Sequence, residues 1–570
     1  MSFIDRLVTK AFSWKMSRLH AELWPAFTEA SRDPKQSQDQ VLREILARNA
    51  DTTFGRQHGF GQISRAEEFR TAVPVQDYES LRPHIDKQEL TGEACLTMEP
   101  PVLYAQTSGT LGAPKYLPVT ASGIERGSRA QRIFSSMVAA ETEMFSGKIF
   151  GITSPAVEGY LPGGNPFGSA SGMVYEGMPK LVQRKYVIGP NVVAIKDHDL
   201  RYLAIAAIGL AEDDVTGAAT ANPSTLIRLH SIFLDQFDLL VDAIETGVLP
   251  GANQMTPEQQ AEVSWSLRQG GERAAVLRSL KAEHGAKLSY QHIWPRLAAI
   301  STWTGGSCGF ALNALQPLLS PDTKVVELGY SASEVRGAIG IDTSTKRSAP
   351  LLADNWFEFV DRDVRDNAVG PLKPTDFLGL HELTEGRHYY VYVTTFDGLY
   401  RYDMNDVVAV NGWFENTPCI GFVQKGRGVT NITGEKLSES QVLNAIKTAQ
   451  AEMQMTVSFF IALADEEAAH YRLYVEHDLP SDGNGLSPAA ELANMVEALV
   501  QETNIEYRSK RASQRLGAIQ GYDVADGTGA AYRDDRVQSG QRDAQFKFLH
   551  LQYLRECDFD FHQHLRGAAK

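Results

Sequence analysis

Apolar positions recur four residues apart near the start of the chain. Leu19, Leu23 and Phe27 share one helical face, and Val41, Leu42, Ile45 and Leu46 share another, which predicts packing helices across 1–50. The rhythm then changes. Val102, Leu103, Tyr104 and Ala105 form a short apolar run that predicts a buried strand, and Ser122-Gly-Ile-Glu125 predicts a capping box opening a helix that runs to about Ala140. Further on, Asn222-Pro223 and the face Leu226, Leu229, Phe233, Phe237 predict a helical block ending near Gly247, and Thr256-Pro257 begins another. Strand character returns at 297–304, followed by Gly305-Gly306 and a helix over Phe310 to Leu319. Val325–Leu328, Trp356–Val360, Tyr389–Thr395 and Val407–Val410 predict more strands. Beyond Lys425-Gly-Arg427-Gly-Val429, helices at 438–453 and 489–502 alternate with strands at 457–464 and 471–476. This predicts an α/β protein with a large N-terminal domain, 1–427, and a small C-terminal domain, 428–570.

Composition narrows the function classes. The chain has 570 residues, 43% hydrophobic and 22% charged, with a net charge of −15. That balance fits a large soluble enzyme and argues against a nucleic-acid or anionic-membrane partner. Cys95, Cys308, Cys419 and Cys557 lack any paired spacing, so neither a disulfide framework nor a zinc site is expected, and reduced thiols fit a cytoplasmic protein. No run reaches about 18 apolar residues, and the first residues do not read as a secretory leader.

The chemistry concentrates in Tyr104-Ala-Gln-Thr107-Ser108-Gly109-Thr110-Leu-Gly112-Ala-Pro114-Lys115-Tyr116. Three hydroxyls, two glycines and a lysine behind an apolar run predict a phosphate-handling loop, because a triphosphate needs backbone donors, hydroxyls and a cation at close range. It is not a Walker loop. Pro114 stands where that motif has glycine and Tyr116 where it has the magnesium-binding hydroxyl. Other blocks follow: Gly329-Tyr330-Ser331-Ala332-Ser333-Glu334, with a carboxylate able to hold magnesium; Tyr400-Arg401 with Asp406 beside a strand; and Gly434-Glu-Lys436 past the charged segment.

In this order the blocks resemble the Gretchen Hagen-type, auxin-responsive acyl acid amido synthetases and their bacterial relatives, a branch of the adenylate-forming enzymes. Thr52-Thr-Phe-Gly-Arg56, His58-Gly-Phe60, Val73-Pro-Val75 and Tyr78 extend the resemblance over nearly the full length. It implies the adenylate-forming fold with a mobile C-terminal domain. It also implies ATP and Mg2+ as cofactors, and a small carboxylic acid and an amino acid or other amine as substrates. The acid becomes an acyl-AMP with release of pyrophosphate, and the amine then takes the acyl group. By the same resemblance Thr107, Ser108, Gly109 and Thr110 contact the phosphates, and Gly306 and Tyr330 the adenine side, with Ser331 and Ser333 alongside. Glu334 holds magnesium, Asp406 meets the ribose, Arg427 and Lys436 touch the nucleotide, and Lys547 reaches the reacting carboxylate. Lys436 and Lys547 are the implied catalytic residues. Asn405 departs from the glycine usual before the ribose aspartate. A monomer is expected.

Alternatives remain open. An acyl-CoA ligase would share the adenylation step and differ in its acceptor. Gly305-Gly-Ser307-Cys-Gly309 matches a nucleophile elbow, so an α/β-hydrolase using Ser307 with His381 or His388 competes from another class. Arg126, Arg129 and Arg132 at three-residue spacing suit a solvated helix face or a partner for an extra carboxylate on the substrate. Cys557, His562 and His564 are better read as packing residues than as a metal site.

Overall fold

The computed structural model describes residues 3–107, 115–153, 155–268, 272–306, 308–366, 368, 370–426, 429–430, 432–433, 435, 437–480, 486–512, 516–539, 546 and 548–566. They form a mixed α/β architecture. Packing divides the chain into two compact units that interleave along the sequence. One comprises Met1–Thr304, Pro317–Met404 and Val408–Gly421; the other Gly305–Gln316, Asn405–Val407 and Phe422–Lys570.

In the first unit a parallel sheet runs in the order Lys148–Gly151, Val215–Ala219, Ala299–Thr302, Lys324–Glu327. Parallel strands need crossovers, and the helices Ser224–Asp235 and Phe237–Thr246 belong to the longest of them. The predicted apolar face is buried at Leu226, Leu229, Phe233 and Phe237, but the block breaks into two helices at Gln236 (φ −111°, ψ 22°) and ends at Gly247 in the left-handed region. The helix His198–Ala211 was not legible from periodicity. Tyr202 and every residue from Ala204 to Leu210 are buried, so it is apolar on all sides.

Helices Phe3–Arg32 and Pro34–Asn49 open the chain. Val41, Leu42, Ile45 and Leu46 are buried as the spacing predicts. Further along, strands Asn355–Asp361 and His388–Thr395 pair antiparallel from Asn355 opposite Thr395 to Asp361 opposite Tyr389, in a sheet that also contains Tyr402–Phe414. Glu358, on the first of these, is buried with both oxygens engaged: Arg70 Nε donates to Oε1 at 3.0 Å and Arg401 Nε to Oε2 at 2.8 Å.

The second unit carries a sheet ordered Gln520–Asp523, His470–His477, Val457–Asp465, Leu551–Tyr553. Its strand Val457–Asp465 is apolar and buried over 459–464 because both faces are covered there. Phe460, Ala462 and Ala464 pack with the helices Glu439–Glu452 and Pro488–Thr503, whereas Phe459, Ile461 and Leu463 enter an aromatic layer with Tyr474, Tyr532 and Phe561. All four cysteines are free thiols, and three of them are buried.

Glu358→Ala leaves Arg401, 2% exposed, without its carboxylate. The expected loss is about 3–5 kcal/mol of unfolding free energy, read from urea denaturation. A loss below about 1 kcal/mol would show the triad to be energetically idle.

Candidate active site

The phosphate loop does not lead straight into a helix as its sequence predicts. Strand Pro101–Thr107 is followed by a second strand, Lys115–Thr120, paired antiparallel with Thr107 opposite Lys115, and only then by helix Ala121–Glu141. The two strands thus form a hairpin. Ser108, Gly109 and Thr110 lie outside the described residues, as does the side chain of Thr107. At the base of the tip, the Tyr116 N–H donates to Tyr78 Oη at 2.8 Å, and Lys115 Nζ stands 5.7 Å from the Tyr78 ring centre.

The helix after the hairpin is capped two residues earlier than predicted. Thr120, not Ser122, is its N-cap, accepting from the Gly123 N–H at 3.0 Å. The Ser122 N–H and hydroxyl both donate to Glu99, and the Thr120 N–H and hydroxyl donate to Asp397 Oδ1 at 2.9 and 2.7 Å. Internal carboxylates therefore occupy this helix N-terminus, and its dipole is not what a phosphate at the hairpin tip would meet.

Tyr330 to Gly337 form a small turn: Gly337 and Ala338 donate backbone N–H groups to Tyr330 O, both at 2.9 Å, and Ser331 bridges to Arg336. Tyr330 is buried, its ring so close to Gly337 that a Cβ there would stand 2.6 Å from Cδ1. Ser331, Ser333 and Glu334 are half-buried in the turn. Among the described residues no hydrogen bond or ion pair holds the Glu334 carboxylate, while burial first and then the Glu334 charge push the Tyr402 hydroxyl well above its ordinary pKa. Tyr402 also senses Asp77 and Tyr78. Lys115 and Tyr402 thus both lie beside the segment Gln76–Tyr78.

A residue that sequence reasoning missed ties the loops together. Glu327 ends the last parallel strand and is 8% exposed. Its Oε2 accepts from the Thr304 N–H at 2.8 Å and hydroxyl at 2.5 Å, and its Oε1 accepts from the Gly329 N–H at 2.7 Å. One carboxylate therefore fixes the residue before Gly305-Gly306 and the residue before Tyr330. The only hint in the sequence was a charge closing the apolar run Val325-Val326.

The early blocks of the resemblance converge on residues 399–404, which lead into the strand Tyr402–Phe414. Phe54 stacks on Tyr400 at 4.9 Å and 12°, and Phe60 meets the same ring edge-on. The Tyr400 hydroxyl donates to Leu96 O at 2.5 Å. Arg401 Nη1 donates to the carbonyls of Arg70 and Val73, and Gln76 pairs through its backbone with Arg401 and Asp403.

Within the second unit, Gly306 has φ +56°, and a Cβ there would meet the Phe422 ring and Val423 O at 3.0 Å. Asp406 lies inside the strand Tyr402–Phe414 rather than ahead of one, 2% exposed, with Lys425 Nζ 2.5 Å from its Oδ1. Lys425 is a second functional candidate missed from sequence. Asn405 adopts φ +49°, the left-handed conformation that the expected glycine would take and that asparagine tolerates best among the other residues; its carbonyl accepts from the Gly426 N–H at 2.7 Å. Arg427, Lys436 and Lys547 lie outside the described residues. Beside Lys436, the fully buried Glu435 accepts from the Ile432 and Thr433 N–H groups and the Tyr471 hydroxyl. On either side of Lys547, Phe546 and Phe548 pack edge-on at 4.8 Å.

Three successive family models match the chain: the GH3 family N-terminal domain over 24–325, the central domain over 349–425 and the C-terminal domain over 440–556. The chain belongs to the GH3 family. Among its relatives, the 4-substituted benzoates-glutamate ligase GH3.12 of Arabidopsis thaliana is 24% identical over 545 residues, covering 90% of this chain and 92% of that protein. The solved structure of a GH3.15 acyl acid amido synthetase superposes with a TM-score of 0.80 at 20% identity, covering 94% of each chain. A 2-hydroxyisobutyryl-CoA ligase shares the fold at a TM-score of 0.52 and 11% identity, covering 91% of this chain and 89% of that one. The GH3 chain described here thus has the fold of the adenylate-forming ligases.

The competing features find other uses. Neither His381 nor His388 donates a hydrogen bond to a carboxylate among the described residues, and Ser307 lies outside them. His562 Nε2 lies 3.1 Å from the Tyr474 hydroxyl, His564 stacks on Phe559, and no group of three metal-ligating side chains occurs among the described residues. No described helix is long and apolar enough to cross a membrane. The three helix arginines differ: Arg126 lies over Phe396 and Arg129 pairs with buried Asp354, whereas Arg132 pairs with Glu125 at the solvent-exposed surface.

Glu327→Gln turns an amide N–H toward one of the bound donors. The expected outcome is a stability loss of roughly 1–3 kcal/mol together with an increase of about tenfold or more in the KM for ATP. The same stability loss with an unchanged KM would make Glu327 a residue of the fold only.

Proposed function

We propose that this chain is an ATP-dependent acyl acid amido synthetase, a ligase that converts a small carboxylic acid to its acyl adenylate, releasing pyrophosphate, and passes the acyl group to an amine, most simply an amino acid. The observation that carries this reading is the full-length GH3 membership, with all three domain models in order. The place of Lys115 beside Tyr78, at the start of the strand that follows the loop, supports it.

The chemistry explains the residue types. A carboxylate oxygen leaves poorly as oxide and well as a phosphate ester, but forming that ester brings two anions together. In this reading Thr107, Ser108, Gly109 and Thr110 donate to the phosphates, and Lys115 adds charge at the base of the tip. Gly306 and Tyr330 border the adenine, with Ser331 and Ser333 beside them. Asp406, its charge fixed by Lys425, accepts from the ribose, and Arg427 and Lys436 contact the nucleotide. Glu334 suits magnesium, since its carboxylate sits in a tight turn and no described side chain claims it. Mg2+ bound there would screen the phosphate charge during attack. Lys547 neutralises the reacting carboxylate, and residues 428–570 reorient to admit the amine. The free thiols support a cytoplasmic location, and a monomer suffices for these roles.

Incubation with ATP, magnesium and a panel of carboxylic acids should give acid-dependent AMP and pyrophosphate in equal amounts. ADP and orthophosphate as products would overturn the reading. Lys547→Ala should slow adenylation about a hundredfold in single-turnover assays yet leave aminolysis of a supplied acyl adenylate within a few-fold, because a neutral amine attacking an activated acyl group needs no cation at that oxygen. Equal losses in both half-reactions would make Lys547 a general nucleotide contact. Discharge by coenzyme A and by no amino acid would select the acyl-CoA ligase alternative.

A further inference from the structure

The helix Glu439–Glu452 begins three residues after Lys436, and its first turn is already supplied with acceptors. Ser438 caps it, its side chain taking the Gln441 N–H, and Gln424 Oε1 accepts from the Ser440 N–H at 3.0 Å. An acid in a first turn ordinarily stays in water and meets the helix dipole. Glu439 instead is 5% exposed, and its Oε1 accepts from the His550 backbone N–H at 2.6 Å. Burial pushes its carboxyl up to about 7, an effect that the His550 N–H only partly offsets, so the contact is kept against a desolvation cost.

His550 is held at further points. Its carbonyl accepts from the Ala462 N–H at 2.8 Å, its Nδ1 donates to Phe460 O at 2.6 Å, and its ring stacks on Phe460 at 4.3 Å and 18°. Burial lowers its imidazole to about 4, so Glu439 and His550 are no ion pair, and what Glu439 holds is the backbone. These bonds fix the point at which the chain enters strand Leu551–Tyr553. Just upstream, Phe546, Phe548 and His550 pack in succession, with 4.8 and 5.6 Å between ring centres, and Phe548 also packs on Phe459 at 5.2 Å. Lys547 falls inside that aromatic run in the sequence. Water at an open strand entry would satisfy the same N–H without burying a carboxyl. The buried acid gives instead a fixed link between the helix that follows Lys436 and the strand that follows Lys547.

We propose that Glu439 is a positioning residue for adenylation: by holding the His550 N–H it fixes where the 546–550 segment meets the sheet, and with it the reach of Lys547. The proposal rests on the amido synthetase reading and on the part Lys547 has in it.

Two substitutions separate position from packing. Glu439→Met fills the buried space and offers the N–H no oxygen, whereas Glu439→Gln keeps a carbonyl oxygen for it. With an acid that supports pyrophosphate release, Glu439→Met should slow single-turnover adenylation about tenfold or more, the scale of a misplaced catalytic group. The KM for ATP and the aminolysis of a supplied acyl adenylate should stay within a few-fold. Glu439→Gln should restore most of the rate. In the Lys547→Ala background Glu439→Met should cost less than about twofold more, because its effect passes through the missing lysine. If Glu439→Met does not fold, His550→Phe, which keeps the ring stack and loses the bond to Phe460 O, reads the same quantities. An unchanged adenylation rate, equal losses in the two half-reactions, or the full loss again without Lys547 overturns the positioning role and leaves the function standing. Pyrophosphate release from no acid overturns both.

Discussion

The buried carboxylate of Glu358, clasped between Arg70 and Arg401, is the constraint on which the site's geometry depends. Arg401 sits at φ +45°, a conformation that costs about 1–3 kcal/mol for a residue of its kind. The charge pair and the hydrogen bonds from Arg401 Nη1 to Arg70 O and Val73 O hold it there. Because those acceptors belong to the segment before Tyr78, the same interaction docks that segment against residues 399–404. Tyr78 can then bind the Tyr116 N–H at the base of the phosphate hairpin. A buried ion triad is weak evidence for net stability, since desolvation offsets most of its attraction. Its value lies in specifying one arrangement of three segments that are distant in sequence.

The sequence revealed elements wherever one face is polar. Val41, Leu42, Ile45 and Leu46 announce a helix because the opposite face is wet. Helix His198–Ala211 gave no such signal, since burial on all sides erases the period. Strand Lys115–Thr120 went unseen for a different reason: it contains Pro118 and is read as the tail of a loop motif, although its partner strand satisfies its ladder. The misplaced helix start follows from local competition. Ser122 and Glu125 have the right spacing for a capping box, but Glu99 captures Ser122 and Arg132 captures Glu125, so Thr120 caps instead. Such exchanges depend on residues far away in the chain, and no local pattern contains them.

The site was legible at the level of motifs and not of partners. Tyr330 and Glu334 follow a strand as the sequence reading had them, on a tight turn that it did not foresee, and Asn405 takes a left-handed conformation of the kind glycine favours. Glu327 and Lys425 were not singled out because each stands at the end of a strand, where a charge is ordinarily solvated. What marks them is burial of the groups they hold: two backbone donors for Glu327, a nearly inaccessible carboxylate for Lys425.

The capping of helix Ala121–Glu141 has a consequence for how such a site can vary. A helix N-terminus aimed at a phosphate supplies part of its attraction from the backbone, which side-chain substitution cannot remove. Here Glu99 and Asp397 engage the donors around Ser122 and Thr120, so under the proposed function anion recognition falls to residues 107–110 and to Lys115. Side-chain cations can be lost, gained or moved one at a time while the hairpin and its cap remain. A scaffold that binds charge this way can keep its activation chemistry while changing which acids and amines it accepts.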